Sequence, residues 1–125
     1  RDFGLSFIDG GAEVAGCAIA GTRVAADGKL GDGIVAAVQS QPPSVSLDSS
    51  IIIGSERAGI ASFGAAVQLA GSALSCNAID LNGEAKGVHD FEYADHGDNV
   101  CGCDGAADPC SVASVGLEPP GPLDP

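Results

Sequence analysis

At 125 residues the chain has the length of a single domain, and 17 acidic against five basic side chains give it a formal net charge of −12. That balance excludes nucleic-acid binding by phosphate neutralisation and attraction to an anionic membrane surface, and no stretch approaches the roughly 18 consecutive apolar residues of a membrane span. The sequence opens on Arg1, already within a repeat-like context, and so reads as a mature product or as the C-terminal piece of a longer protein.

Arg1 to Phe3 reads as the tail of a preceding turn or as a disordered terminus. From Gly4 the chain repeats itself. Gly4-Leu5, Gly33-Ile34 and Gly59-Ile60 open three copies, 29 and 26 residues apart, within the range that marks solenoids. Each opening is followed by two alternating apolar positions: Ala12 and Val14, Val45 and Leu47, Val67 and Leu69. A small residue comes next (Cys17, Ser50, Ser72), then an aliphatic one (Ile19, Ile52, Leu74), then Gly21-Thr22, Gly54-Ser55 and Cys76-Asn77.

The third copy also fits an amphipathic helix, since Ile60, Phe63, Val67 and Leu74 fall at helical spacing. Gly59, Gly64 and Gly71 would each cost such a helix about 1 kcal/mol relative to Ala. Leu69 would leave the apolar stripe, whereas alternation puts it beside Val67 on one face of a strand. The second copy contains Pro42-Pro43, which breaks helices. Copies share a conformation, so the expectation is short strands wound as a coil, each turn paired in parallel with the last at roughly 4.8 Å.

The pattern G-I-x-x … V-x-L-x-x-S-x-I-x-G-T resembles right-handed parallel β-helix repeat proteins, the architecture shared with pectate lyases, over about residues 4–81. The likeness is strongest to the uncharacterised secreted or surface-exposed bacterial branch of that group. The resemblance implies an all-β, right-handed parallel β-helix of about three coils with a C-terminal cap, expected to be a fragment of a longer solenoid. Many families of this fold stack Asn amides in the small turn position; Cys17, Ser50 and Ser72 stand there instead, so no Asn ladder is expected. Solenoids need caps at both ends, and nothing before Gly4 can be one, so further coils are expected to precede Arg1.

The first copy is followed by the insertion VAADGKLGDG, where Asp27 and Asp32 in a Gly-rich loop invite a calcium site. Their spacing matches neither the EF-hand nor the tandem calcium-binding nonapeptide, and a solvated loop is the plainer reading. Gln39, Ser40 and Gln41 precede Pro42-Pro43 and would project from the side of the coil towards a sugar, or belong to a stiffened loop. Glu56-Arg57 reads as an exposed pair of little energetic consequence.

After Leu81 the pattern dissolves. Gly87-Val88, Phe91 and Tyr93 suggest a degenerate coil whose aromatics close the core, with His89, Asp90, Asp95 and His96 on an acidic, solvated surface rather than in a metal site. Cys76, Cys101, Cys103 and Cys110 lack zinc-knuckle spacing and read as disulfides stapling the cap, with Cys103–Cys110 and Cys76–Cys101 the expected pairs; bridging Cys101 to Cys103 is sterically awkward. Cys17 reads as a free thiol. The tail SVASVGLEPPGPLDP is expected to lie extended on the surface or to be disordered. Three regions result: coils over 1–83, an acidic Cys-containing cap over 84–112 and a Pro-rich tail over 113–125.

Enzymes of this fold, by the same resemblance, carry carboxylates on one long face of the coil. The equivalent face here presents Ser6, Val35 and Ala61, with no acid pair and no base for general acid–base chemistry. The expected function is therefore a non-catalytic structural or binding segment of an extracytoplasmic β-helix protein, without a cofactor apart from the calcium loop. A polysaccharide or cell-surface component would be its partner. The alternative is the C-terminal part of a polysaccharide lyase or hydrolase whose active site lies before Arg1.

Overall fold

The computed structural model describes residues 3–8, 12–22, 31–103 and 108–117. Thirteen strands and no helix occur among them. They fall into three parallel sheets that the chain visits in strict rotation. Sheet A holds β1 (Phe3–Ile8), β4 (Asp32–Ala37), β7 (Ala58–Phe63), β10 (Ile79–Glu84) and β13 (Val112–Ala113). Sheet B holds β2 (Ala12–Ala15), β5 (Ser44–Asp48), β8 (Ala66–Ala70) and β11 (Glu92–Asp95). Sheet C holds β3 (Ala18–Ala20), β6 (Ile51–Ile53), β9 (Ala73–Ser75) and β12 (Val100–Gly102). This is a right-handed parallel β-helix.

The repeat read from the sequence is the register of the sheets. Leu5 pairs with Ile34 and Ile34 with Ile60; Val14 with Leu47 and Leu47 with Leu69; Ile19 with Ile52 and Ile52 with Leu74. Identical positions therefore stack, and the interior is built of columns of aliphatic side chains. Ile34, Ile52, Ile60 and Leu74 have no exposed surface at all, and each such side chain contributes roughly 1.5–3 kcal/mol through burial.

The corners explain why short strands turn so sharply. Leaving sheet B, each coil places a residue in the left-handed region just before the small polar position: Gly16, Ser49, Gly71 and Asp98, at φ of 62°, 50°, 57° and 59°. Gly and Asp tolerate that conformation at little cost. The next residue is the small polar position. The N–H of Cys17 donates to Ser50 Oγ (3.2 Å), that of Ser50 to Ser72 Oγ (3.2 Å), and that of Ser72 to Asn99 Oδ1 (2.9 Å). A ladder of side-chain acceptors thus runs up the corner, one step per coil. Ser50 and Ser72 supply the first two acceptors and a single Asn, Asn99, ends the row, where it also donates to the Leu69 carbonyl at 2.9 Å. At the next corner Asn77 Oδ1 accepts the Ser55 N–H at 2.9 Å.

The coil does not end at Leu81. Strands β10, β11 and β12 pair with β7, β8 and β9, so residues 79–102 form a fourth turn, and β13 adds a fifth strand to sheet A. Aromatics fill this turn because its backbone makes room for them. Tyr93 is the register partner of Val67, and its hydroxyl crosses the interior to stand 2.8 Å from the Asn82 carbonyl. Burial and the charge of Asp32 push that hydroxyl well above its ordinary pKa, so it remains a donor. A Cβ on Gly83 would collide with the Phe91 ring.

Two departures concern charge. Asp32 and Arg57 were read as loop and turn residues in solvent; both are buried, at 0% and 8% exposure. Arg57 Nε donates to Asp32 Oδ1 at 2.9 Å, Nη2 approaches Oδ2 at 2.5 Å, and the Ala58 N–H also reaches Oδ1 at 3.0 Å. Desolvated charges must be paired, and register brings them together: Asp32 occupies in β4 the place of Ala58 in β7, one residue beyond Arg57.

Two substitutions follow from this packing. Arg57→Ala leaves a buried carboxylate without its partner and is expected to lower unfolding free energy by about 3–5 kcal/mol in urea titrations. Gly83→Ala is expected to cost about 1–3 kcal/mol by overpacking, and the Gly83→Ala/Phe91→Leu double variant to lose less than the sum of the two single changes.

Candidate functional site

In sheet A the side chains alternate between the coil interior and its outer surface. Ile34, Ile60 and Leu81 face in and join the main core. Val35 and Ala61 face out with Asn82 in one row, and Ala37 and Phe63 with Glu84 in the next. This outer face is the one along which catalysis was sought. It does not present Val35 and Ala61 to solvent: both are fully buried, and Ala37 and Phe63 are 2% and 1% exposed. Val35, Ala37, Ala58, Ala61 and Phe63 form a second apolar cluster, against which Ile79 and Leu117 pack. Sheets made only of parallel strands are commonly buried on both faces, and the unbroken apolar runs Gly33–Val38 and Ala58–Phe63 are the sequence mark of it.

Among the described residues this face also carries Asp32, Arg57 and Glu84, all engaged. Asp32 and Arg57 form the buried pair described above, with the guanidinium carbon 5.9 Å from the Phe63 ring centre. Glu84 is half-buried beside Phe63. Its carboxylate accepts Asn82 Nδ2 at 2.9 Å, the Ser114 hydroxyl at 2.9 Å, the Gly116 N–H at 2.8 Å and the Leu117 N–H at 3.1 Å. Partial burial pushes this carboxyl up, but the bonds from Asn82, Ser114, Leu117 and Gly116 outweigh it and hold the group below the ordinary glutamate value. Such a group is charged at neutral pH and saturated with donors, which suits an anchor better than a proton-transfer catalyst.

At the C-terminal end two disulfides shape a second feature. They join Cys76 to Cys103 and Cys101 to Cys110, with Cα atoms 4.5 and 5.0 Å apart, in place of the expected Cys76–Cys101 and Cys103–Cys110. Register is the reason. Cys101 pairs with Leu74 and points into the core, where it is buried, while Gly102 pairs with Ser75 and so brings Cys103 level with Cys76 at the corner. Cys110 then covers the core from above and meets Cys101. Beside this closure lies a cleft of about 400 Å³ between β10, β12 and residues 108–113. Asp80 lines it, with one carboxylate oxygen taken by Asn77 Nδ2 and the other by the Gly102 N–H. Cys17 is exposed and is the free cysteine among the described residues.

The remaining candidates are scattered. Asp27 lies outside the described residues, and both oxygens of Asp32 are committed to Arg57 and Ala58. Gln39, Ser40 and Gln41 are exposed. His89 sits in a tight turn whose backbone pairs it with Lys86, and Asp95 accepts bonds from the Gly97 N–H and Asn99 Nδ2. Among the described residues no three His, Cys, Asp or Glu side chains converge as metal ligands would. On the outer face of sheet B a groove of about 160 Å³ runs between Ser46, Asp48, Gln68 and His96. Asn82 and Glu84 are the residues that sequence reasoning passed over. Their signal is register: two polar residues alternate on a strand whose counterparts, Ala61 and Phe63, are apolar.

The pH dependence of Glu84 is a direct check. Its folded-state pKa is depressed, so the stability it supplies is complete above the unfolded value of about 4.3 and is lost as pH falls through the lower folded value. Urea midpoints measured from neutral pH downward should fall in that acid range, and Glu84→Gln should flatten that part of the decline. Comparison with protein-family models, with characterised proteins and with solved structures yields no match, so the case for what this surface does rests on its own geometry.

Proposed function

We propose that the chain is a non-catalytic structural or binding segment of a secreted or cell-surface β-helix protein. The observation that carries this reading is the condition of sheet A's outer face. An open row of carboxylates would be needed there to work on an acidic polymer; Val35, Ala61, Ala37 and Phe63 occupy it, fully or almost fully buried. The charged groups beside them are spent on holding structure together. Two disulfides fit an oxidising, extracytoplasmic setting. No helix among the described residues is long and apolar enough to cross a membrane.

A polysaccharide or other cell-surface component is the partner class that the surface chemistry suits. Sheet B supports this with exposed or half-exposed Glu13, Ser46, Asp48, Gln68 and Glu92 on one parallel-stranded face. Hydroxyl, amide and carboxylate groups lie there on strands roughly 4.8 Å apart, with Glu13, Ser46 and Gln68 in one register row, so an extended glycan would meet a polar group on three successive coils.

The test is an assay of the full-length protein on pectin-like and neutral polysaccharides, with and without calcium, alongside pull-down of the same polymers. The expectation is retention of a polymer with no new reducing ends and no unsaturated product, and weaker retention in the Gln68→Ala/Asp48→Ala variant. Turnover that disappears in Glu84→Gln or Asp32→Asn would contradict the reading.

A further inference from the structure

We propose that the outer face of sheet A is a docking groove for the chain's own C-terminal segment, which Glu84 clasps at Ser114–Leu117. The apolar strip there faces away from the coil interior, yet it is as fully buried as the main core. The described chain itself leads onto it. Strand β13 pairs with β10 at the end of sheet A, the Val115 N–H reaches Asn82 Oδ1 at 3.3 Å, and Gly116 turns the chain at φ 80°. Leu117, the last described residue, packs against the Val35–Phe63 cluster.

The clasp has a specific construction. Glu84 receives one hydroxyl and two consecutive backbone N–H groups from a stretch four residues long. Charge-assisted bonds of this kind are about twice as strong as neutral ones, and backbone donors make the recognition one of chain path more than of side-chain identity. Gly116 is required for the path, because a left-handed φ is strained for other residues. The remaining sequence, EPPGPLDP, is rich in proline and carries one further large aliphatic residue, Leu123. Fully stretched, eight such residues reach about 25 Å, whereas three strand spacings across sheet A amount to about 14 Å. Length therefore suffices to cross the strip from β10 to β1.

The strip is thus a site for an extended, proline-flanked apolar peptide, and this chain carries such a peptide directly after β13. Docking in this manner makes the tail an internal competitor for anything that would bind the same face. The proposal is independent of whether the protein retains a glycan on sheet B.

The experiment uses the full chain, a chain truncated after Ala113, and a labelled synthetic peptide covering Ser114–Pro125. The truncated chain should keep its β-sheet circular dichroism, gain binding of a hydrophobic dye, and bind the peptide in fluorescence anisotropy. The full chain should bind that peptide about tenfold less tightly or worse, since its site is filled, and a peptide with Leu117→Asp should not bind the truncated chain. A truncated chain that stays folded but gains neither dye nor peptide binding overturns the proposal. Should truncation unfold the protein, Glu84→Ala and Leu117→Asp in the full chain provide the second readout. Proteinase K cleavage within residues 114–125, followed by mass spectrometry, should quicken about tenfold while the coils stay protected. Unchanged tail cleavage in both variants overturns the proposal equally.

Discussion

Each coil leaves sheet B through a residue in the left-handed region, and from the second coil onward the side chain that follows accepts the N–H of its counterpart one coil earlier. Cys17, Ser50, Ser72 and Asn99 occupy this position, and the rest of the structure depends on it. A corner residue in that conformation turns the chain within a single step, which strands of three to five residues require. The acceptor satisfies a buried N–H that has no strand partner; leaving such a group unpaired would cost about 1–3 kcal/mol. Because each step joins equivalent residues, the ladder also sets the register. A slip of one residue would send Ile52 and Leu74 to the surface and Ile51 and Ile53 into the core.

Register then decides where charge and sulfur go. Asp32 and Arg57 are 25 residues apart in sequence and lie on adjacent coils at one level, which permits a buried ion pair beside the apolar cluster of Val35, Ala37, Ala58, Ala61 and Phe63. Cys76 and Cys103 are counterparts at one corner, and Cys101 takes the column of Ile52 and Leu74, so a disulfide replaces the aliphatic side chain that a further coil would have stacked there. The closing turn is thus built by the same rule as the regular ones, with different materials.

The same two-sidedness underlies the proposed function. A parallel sheet whose outer face is apolar must be covered, and here the C-terminal segment leads onto that face under the hold of Glu84. Sheet B keeps its outer face polar and half-open. The two surfaces give the molecule a covered side and a polar, half-open side, and that asymmetry is what supports the proposed scaffold or binding role.

The stacked columns were legible in the sequence because three copies with few insertions repeat the same apolar spacing, and the aligned apolar positions are register pairs. The fourth coil was legible only as a degenerate one, since Tyr93 replaces a valine, Cys101 replaces a leucine and Gly83 provides only room for a ring. The Asp32–Arg57 pair was hidden by its surroundings: a Gly-rich insertion and a turn both look solvated until register shows that Asp32 stands where Ala58 does. The disulfide pairing failed for the same reason, because sequence distance says nothing of which cysteine faces the core.

In-register stacking through the last coil is therefore the central claim, and disulfide mapping by mass spectrometry of unreduced peptic fragments, generated in acid to prevent exchange, tests it most directly. The account predicts fragments linking Cys76 to Cys103 and Cys101 to Cys110, with Cys17 as a free thiol. Fragments linking Cys76 to Cys101 or Cys103 to Cys110 would contradict it.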